Sequence, residues 1–92
     1  MKKRLQGTRE VVTENNHIIN LEYYLIETPY YEKNSLKVAY GIEILKKDNK
    51  ILESDIVSKI TDCKDKVMII LNKLIANTVT PVGMVVAIDE LL

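Results

Sequence analysis

Polar and apolar residues alternate through the first sixty positions and then take up a helical period, and that change organises the chain. "REVVT" (9–13) is short and β-branched, and "ENNH" (14–17) supplies polar turn residues, so a first hairpin is expected there. From 18 onward, Ile19, Leu21, Tyr23 and Leu25 alternate with Ile18, Asn20, Glu22, Tyr24 and Ile26, which gives a strand one apolar and one mixed face. Pro29 has no N–H to donate and is expected to end that ladder or force an edge position, with Tyr30 and "YEKNS" (31–35) forming a loop. In "SLKVAYGIEILKKDNK", Leu36, Val38, Tyr40, Ile42 and Ile44 share one face, and Gly41 marks a bulge or a close approach by another element. A tight turn at "KDNK" (47–50) leads to a returning strand, with Leu52, Ser54, Ile56, Ser58 and Ile60 as its expected buried face.

After Thr61 the period changes. Asp62 is the expected N-cap of a helix, and Cys63, Val67, Met68, Ile70, Leu71, Leu74 and Ile75 fall on one stripe at about 100 degrees per residue. Asn77 is the expected left-handed residue at its end. Thr80 and Pro81 read as N-cap and first position of a second helix running to about Leu92, with Met84, Val85, Ala87, Ile88, Leu91 and Leu92 as its apolar face. Three apolar residues fall outside these faces. Val82 and Val86 sit between Asp89 and Glu90 on the polar side of the second helix, and Ile69 sits beside Lys73 and Asp65 on the polar side of the first.

The pattern therefore predicts an α+β domain of order ββββαα: an antiparallel meander of three or four strands followed by two C-terminal helices packed on one face. Residues 9–92 form that single domain. Lys2, Lys3 and Arg4, the only basic cluster, place a flexible basic tail at 1–8.

Charge and composition narrow the function. Thirteen basic and thirteen acidic side chains cancel, which removes the broad electrostatic attraction that nucleic-acid binding and membrane-surface binding rely on. A single Cys and a single His give neither an intramolecular disulfide nor a zinc-ligand spacing, so no metal or cofactor is expected. The basic start lacks the apolar stretch of a secretory signal, and a cytoplasmic location is the default. Asp62 and Asp65 beside Cys63 oppose thiolate formation, and its place on the apolar stripe reads as a small buried hydrophobe. His17 has no acid or cysteine at a local catalytic spacing, and Glu22, Glu27 and Glu43 read as solvated charges on strand faces. The glycines at 7, 41 and 83 stand singly, which excludes a phosphate-cradling loop.

Four of the five tyrosines lie within "YYLIETPYY" (23–31). Tyr23 and Tyr40 fall on core faces, whereas Tyr24, Tyr30 and Tyr31 do not. Together with Ile69, Val82 and Val86 these three tyrosines form the expected interaction surface, for a protein partner or a second copy of the chain. No catalytic residue is assigned. The alternative is a small-ligand binder or minor enzyme with a pocket between sheet and helices, lined by Tyr40 and Cys63.

"YYLIE", "YGIEILKKDN" and "NTVTPVGMVVAIDELL" resemble a family of small proteins of anaerobic, spore-forming Gram-positive bacteria classed as a domain of unknown function. Its most specific part is Val79, Thr80 and Pro81 at the entry to the last helix, with Asp89 and Glu90 near the end. The resemblance spans roughly residues 21–92 and implies a compact bacterial domain, with no activity attached.

Overall fold

A computed structural model describes all residues, 1–92, and shows four strands followed by two helices. The strands are β1 (Lys2–Val12), β2 (Ile18–Glu32), β3 (Ser35–Asp48) and β4 (Ile51–Thr61), antiparallel in spatial order β1-β2-β3-β4. Helix α1 covers Lys64–Ala76; a 3₁₀ turn at Pro81–Gly83 leads into α2, Met84–Leu91. This is the α+β meander with two C-terminal helices that the period change predicts.

The core lies between one sheet face and the helices. Leu21, Tyr23 and Leu25 of β2 and Ile42 and Ile44 of β3 meet Val67, Ile70, Leu71 and Leu74 of α1 and Met84 and Ile88 of α2, all buried. Registers Tyr23↔Ile44 and Leu25↔Ile42 put these strand residues on one side, as the alternation requires. Each such side chain contributes about 2 kcal/mol when taken from water, and only 15 of 92 residues are buried, so few can be lost. Two further contacts fix the helices. Tyr23 donates its hydroxyl to the Val79 carbonyl (2.8 Å), and Arg9 donates from Nε to the Ile75 carbonyl (2.9 Å) at the negative end of α1.

The end of α1 is a Schellman-type cap. The Val79 N–H donates to the Leu74 carbonyl and the Thr78 N–H to the Ile75 carbonyl. Thr78, not Asn77, is the left-handed residue, with φ 52°. At the start, Cys63 is the N-cap in place of Asp62, and it is exposed where a buried position was expected. The helix begins one residue later than the sequence suggests, which turns the thiol out beyond the first turn. Thr80 and Pro81 open the last helical segment as expected.

Residues 2–8, expected as a flexible tail, are strand. Lys2 to Leu5 pair with Glu27 to Tyr24, and after a bulge at Gln6 the ladder resumes with Gly7↔Tyr23 and Thr8↔Glu22. The physical reason is that the basic cluster has its counter-charges on other strands: Arg4 Nε lies 3.1 Å from Glu27 and Lys3 Nζ 2.6 Å from Glu43. Pro29 likewise fails to end β2, so Tyr30 and Tyr31 are strand residues and the turn shrinks to Lys33 and Asn34, both at positive φ. Strand β1 reaches only to Glu27, so Pro29 has a flank with no strand to bond.

Strand β4 shows the opposite phase from the one expected. Ile42↔Val57 and Ile44↔Asp55 turn Val57 and Asp55 toward the helices, leaving Leu52, Ser54 and Ile56 exposed on the other side. A bulge follows, in which four residue steps of β4 answer two of β3, between Ile42↔Val57 and Tyr40↔Thr61. Within it, Ile60 does pack against the core. Gly41 makes this possible, because a Cβ there would lie 2.0 Å from the Val57 carbonyl oxygen and 2.5 Å from the Ser58 carbonyl carbon. Ile26 and Ala39, which flank Gly41 on the face the helices leave open, are buried.

Gly41→Ala should therefore destabilise the protein by about 3 kcal/mol, since neither backbone can yield without opening the bulge. Urea denaturation gives the check: an unchanged midpoint would mean that β4 does not cross Gly41 as described.

Candidate functional site

The six residues expected to form one interaction surface occupy three separate places. Tyr24 lies on the open sheet face, opposite the helices, because its neighbours Tyr23 and Leu25 point into the core. Tyr30 lies further along β2, and Tyr31, 76% exposed, stands near the tip of the β2–β3 hairpin. Ile69, Val82 and Val86 are exposed on the outer side of the helix layer, separated from Tyr24 by the sheet.

Tyr24 belongs to a polar network across three strands. Its hydroxyl donates to Glu22 Oε1 (2.6 Å), Lys47 Nζ donates to Glu22 Oε2 (3.2 Å), and Lys3 Nζ sits 4.3 Å from the Tyr24 ring centroid. The hydrogen bond from Tyr24 holds the Glu22 carboxyl below its usual range, with Lys47 adding to the effect and burial opposing it. The same bond, with burial adding to it, pushes the Tyr24 phenol up to about 12. Such a network makes this part of the open face polar. Glu27 is not part of it: it lies in phase with Leu25 on the helix side and pairs with Arg4 at the rim. His17, from the β1–β2 turn, pairs with Asp48 at the end of β3.

Tyr30 borders a shallow cleft of about 250 Å³, with Ala39, Lys59, Ile60, Thr61 and Asp62. The Tyr30 hydroxyl donates to Asp62 Oδ2 (2.7 Å), and Lys59 Nζ lies 5.6 Å from the ring centroid. The bond to Asp62 is the main cause that pushes the Tyr30 phenol up to about 12. Neither Lys59 nor Asp62 makes an ion pair, so the cleft offers one cation, one carboxylate oxygen and an apolar floor. A second depression, of about 380 Å³, is lined by Met1, Lys2, Glu27, Pro29 and Val38. Both lie away from the sheet–helix interface, where the pocket lined by Tyr40 and Cys63 was expected; Tyr40 instead packs against the core, and Cys63 faces solvent. No group of three or more His, Cys, Asp or Glu side chains is placed to hold a metal, and no helix is long and apolar enough to cross a membrane.

On the helix layer, Met84 and Ile88 are buried while Val82 (82% exposed), Val86 (63%), Val85 and Leu92 stand in solvent. Val85 and Leu92 were expected on the packed face. The helix meets the sheet along a narrower line than its apolar arc, so two more large side chains join the outward set.

DUF6514, a family of unknown function, matches residues 2–92. The chain belongs to that family. The match takes in β1 from its first residue and ends with the last residue after α2. No curated protein and no solved structure matches the chain.

The cleft and its charged partners were not legible in the sequence: Lys59 carried no signal, and Asp62 read as a helix cap. Only the bulge, hinted at by Gly41, brings Lys59 back over Ala39.

Tyr23 also has its phenol pushed up to about 12, by burial, with Arg9 opposing. Tyr23, Tyr24 and Tyr30 thus hold their protons in the folded state above the ordinary value of 10. A raised folded pKa makes stability complete below pH 10 and lost as pH rises from 10 through about 12. Phenolate absorbance should show these three ionising late in the native protein, with urea midpoints falling across that window. Replacing Tyr23 by Phe should flatten the fall. Ordinary titration of Tyr23, Tyr24 and Tyr30 would overturn the burial of the first and the hydrogen bonds of the other two.

Proposed function

We propose that this protein is a small non-enzymatic protein–protein interaction module, with a regulatory adaptor role, whose docking surface is the outward side of α2 with Ile69 of α1. One observation carries the reading: α2 is apolar on both sides. A helix that is hydrophobic all round is ordinarily buried. Here Met84 and Ile88 take the inner side, and Val82, Val85, Val86 and Leu92 remain outside within eleven consecutive positions. Single exposed apolar residues are normal on any surface, but this density on one short segment is not. The resemblance to proteins of anaerobic, spore-forming Gram-positive bacteria supports a bacterial setting for such a module, with the cytoplasm as its proposed location.

The sheet supports the reading by offering less. Bulges interrupt both edge strands, and β1 carries Lys2, Lys3, Arg4 and Arg9, which discourage strand addition. The open face is occupied by its own charge network.

The double substitution Val82→Lys and Val86→Lys should leave stability within about 0.5 kcal/mol, since both side chains are already in solvent. Cross-linking of tagged protein in its native cytoplasm should recover proteins that the folded double variant loses. Recovery of the same proteins by both would place docking elsewhere.

The cleft at Tyr30 supports a second reading, a small-ligand site for a zwitterion such as an amino acid, because Lys59 and Asp62 present unpaired opposite charges beside one ring. Amide chemical shifts around Ala39 and Thr61 should move on adding free amino acids and stay fixed in Lys59→Ala with Asp62→Ala. Shifts that fail to move, or that move equally in the variant, would remove this reading.

A further inference from the structure

We propose that the occupant of the α2 surface is a second copy of this chain, docked across a two-fold axis with the two α2 helices antiparallel. This rests on the reading of α2 as the docking surface and adds the identity and geometry of the partner.

The exposed residues of α2 form a seam. Val82, Val86 and Asp89, and likewise Val85, Asp89 and Leu92, recur at intervals of four and three residues, the spacing that lines one side of a helix. With 1.5 Å of rise per residue, an antiparallel copy centred near Val86 sets Val86 against Val86 and Val82 of each copy beside Asp89 and Glu90 of the other. Exposed Ile69 on α1 widens the contact beyond one short helix.

Charge supplies the partner's identity. Asp89 and Glu90 lie in the last turn of α2, at the negative end of its own dipole, and no basic residue accompanies them there. At the other end, Thr80 makes no side-chain capping bond and no acidic residue stands in the first turn; the Gly83 and Met84 N–H groups bond the Thr80 and Pro81 carbonyls, and the positive end of the dipole meets no counter-charge. Each end thus lacks what the opposite end carries. A parallel pair would stack four carboxylates together. An antiparallel pair sets the two acids of each copy beside the positive N-terminal turn of the other, so both mismatches are relieved twice. The segment from Val79 to Leu92 has no Lys or Arg, so within such a contact the positive helix ends are what the acids of the other copy meet. The contact is isologous and closes at two copies.

A contact of this size lies at the weak end of specific interfaces, and the expected behaviour is a monomer–dimer equilibrium in roughly the micromolar range. Sedimentation equilibrium on the full chain tests it. Val86→Lys should abolish dimer at all accessible concentrations. Asp89→Lys with Glu90→Lys should weaken the dimer about tenfold, because it sets cations against the partner's positive helix end, while raising the melting temperature of the monomer. That opposite sign separates loss of docking from loss of folding. In a Cys63→Ser background, Val86→Cys should form a disulfide-linked dimer quickly on oxidation and Val82→Cys slowly; equal rates would indicate a parallel pair. A strictly monomeric wild type would overturn the second copy as occupant, as would a dimer indifferent to Val86→Lys. Neither result bears on the cross-linking comparison of the Val82 and Val86 double variant, which decides the wider reading by itself.

Discussion

Everything in this fold depends on α1 lying across the two central strands. Strands β2 and β3 alone supply fully buried sheet residues to the helix side, and Val67, Ile70, Leu71 and Leu74 are what they are buried against. The two edge strands contribute only partly buried residues, Val11 from β1 and Val57 and Ile60 from β4. Closing this contact also sets the rest of the path. Once α1 is seated, Arg9 can reach its last carbonyls, and the left-handed Thr78 turns the chain so that the Val79 carbonyl meets the Tyr23 hydroxyl. That hydrogen bond lies at the edge of the core and fixes where the second helix begins. Met84 and Ile88 then complete the enclosure with only two fully buried residues of α2.

The cost of such a narrow contact is exposure elsewhere. Two helices over two strands leave an uncovered sheet face, two edges and a long hairpin tip in a molecule 54 Å in its longest dimension. Polar chemistry and backbone irregularity guard most of these. Exposed ion pairs such as Lys3–Glu43 contribute little stability, on the order of 0–1 kcal/mol. Their larger effect is on association: any surface laid over the open face must strip water from Lys3, Glu22, Glu43 and Lys47. The bulges in β1 and β4 do the same for the edges by breaking the regular row of donors and acceptors.

What could be read from the sequence was whatever a local period encodes. The apolar faces of β2 and β3, the α1 stripe, the Thr80–Pro81 entry and the meaning of Gly41 all follow from residues a few positions apart. What could not be read depends on pairing between distant segments. Residues 2–8 look like a tail until Glu27 and Glu43 are placed beside them, and Pro29 looks like a stop until β1 is seen to begin opposite Glu27. Strand β4 is the instructive failure. Its even-numbered apolar residues outnumber its odd ones, but the register set by β3 turns Val57 inward, and a bulge then brings Ile60 back to the core. Hydrophobic count chose the wrong face because an edge strand under so narrow a helix layer has little burial to offer either side. Of the candidate surface, the three aliphatic residues were legible as surplus on helical wheels. The tyrosines were legible only as off-core, and their partners Glu22 and Asp62 give Tyr24 and Tyr30 internal work.

That contrast is the physical case for weighing the aliphatic residues above the tyrosines. A tyrosine is the better anchor in the abstract, being large, rigid and able to donate one hydrogen bond. Tyr24 and Tyr30 have already committed that bond to carboxylates of their own chain, and docking through their hydroxyls would leave Glu22 or Asp62 short of a donor. Val82 and Val86 have no polar group to strand, and covering them removes apolar area from water without any competing loss. The same logic bears on Asp89 and Glu90. They stand where the dipole of their own helix disfavours them, so a partner that brings a positive helix end improves their environment rather than disturbing a satisfied one. An acidic pair at this end of an outwardly apolar helix therefore favours docking, where the charges on the open face oppose it.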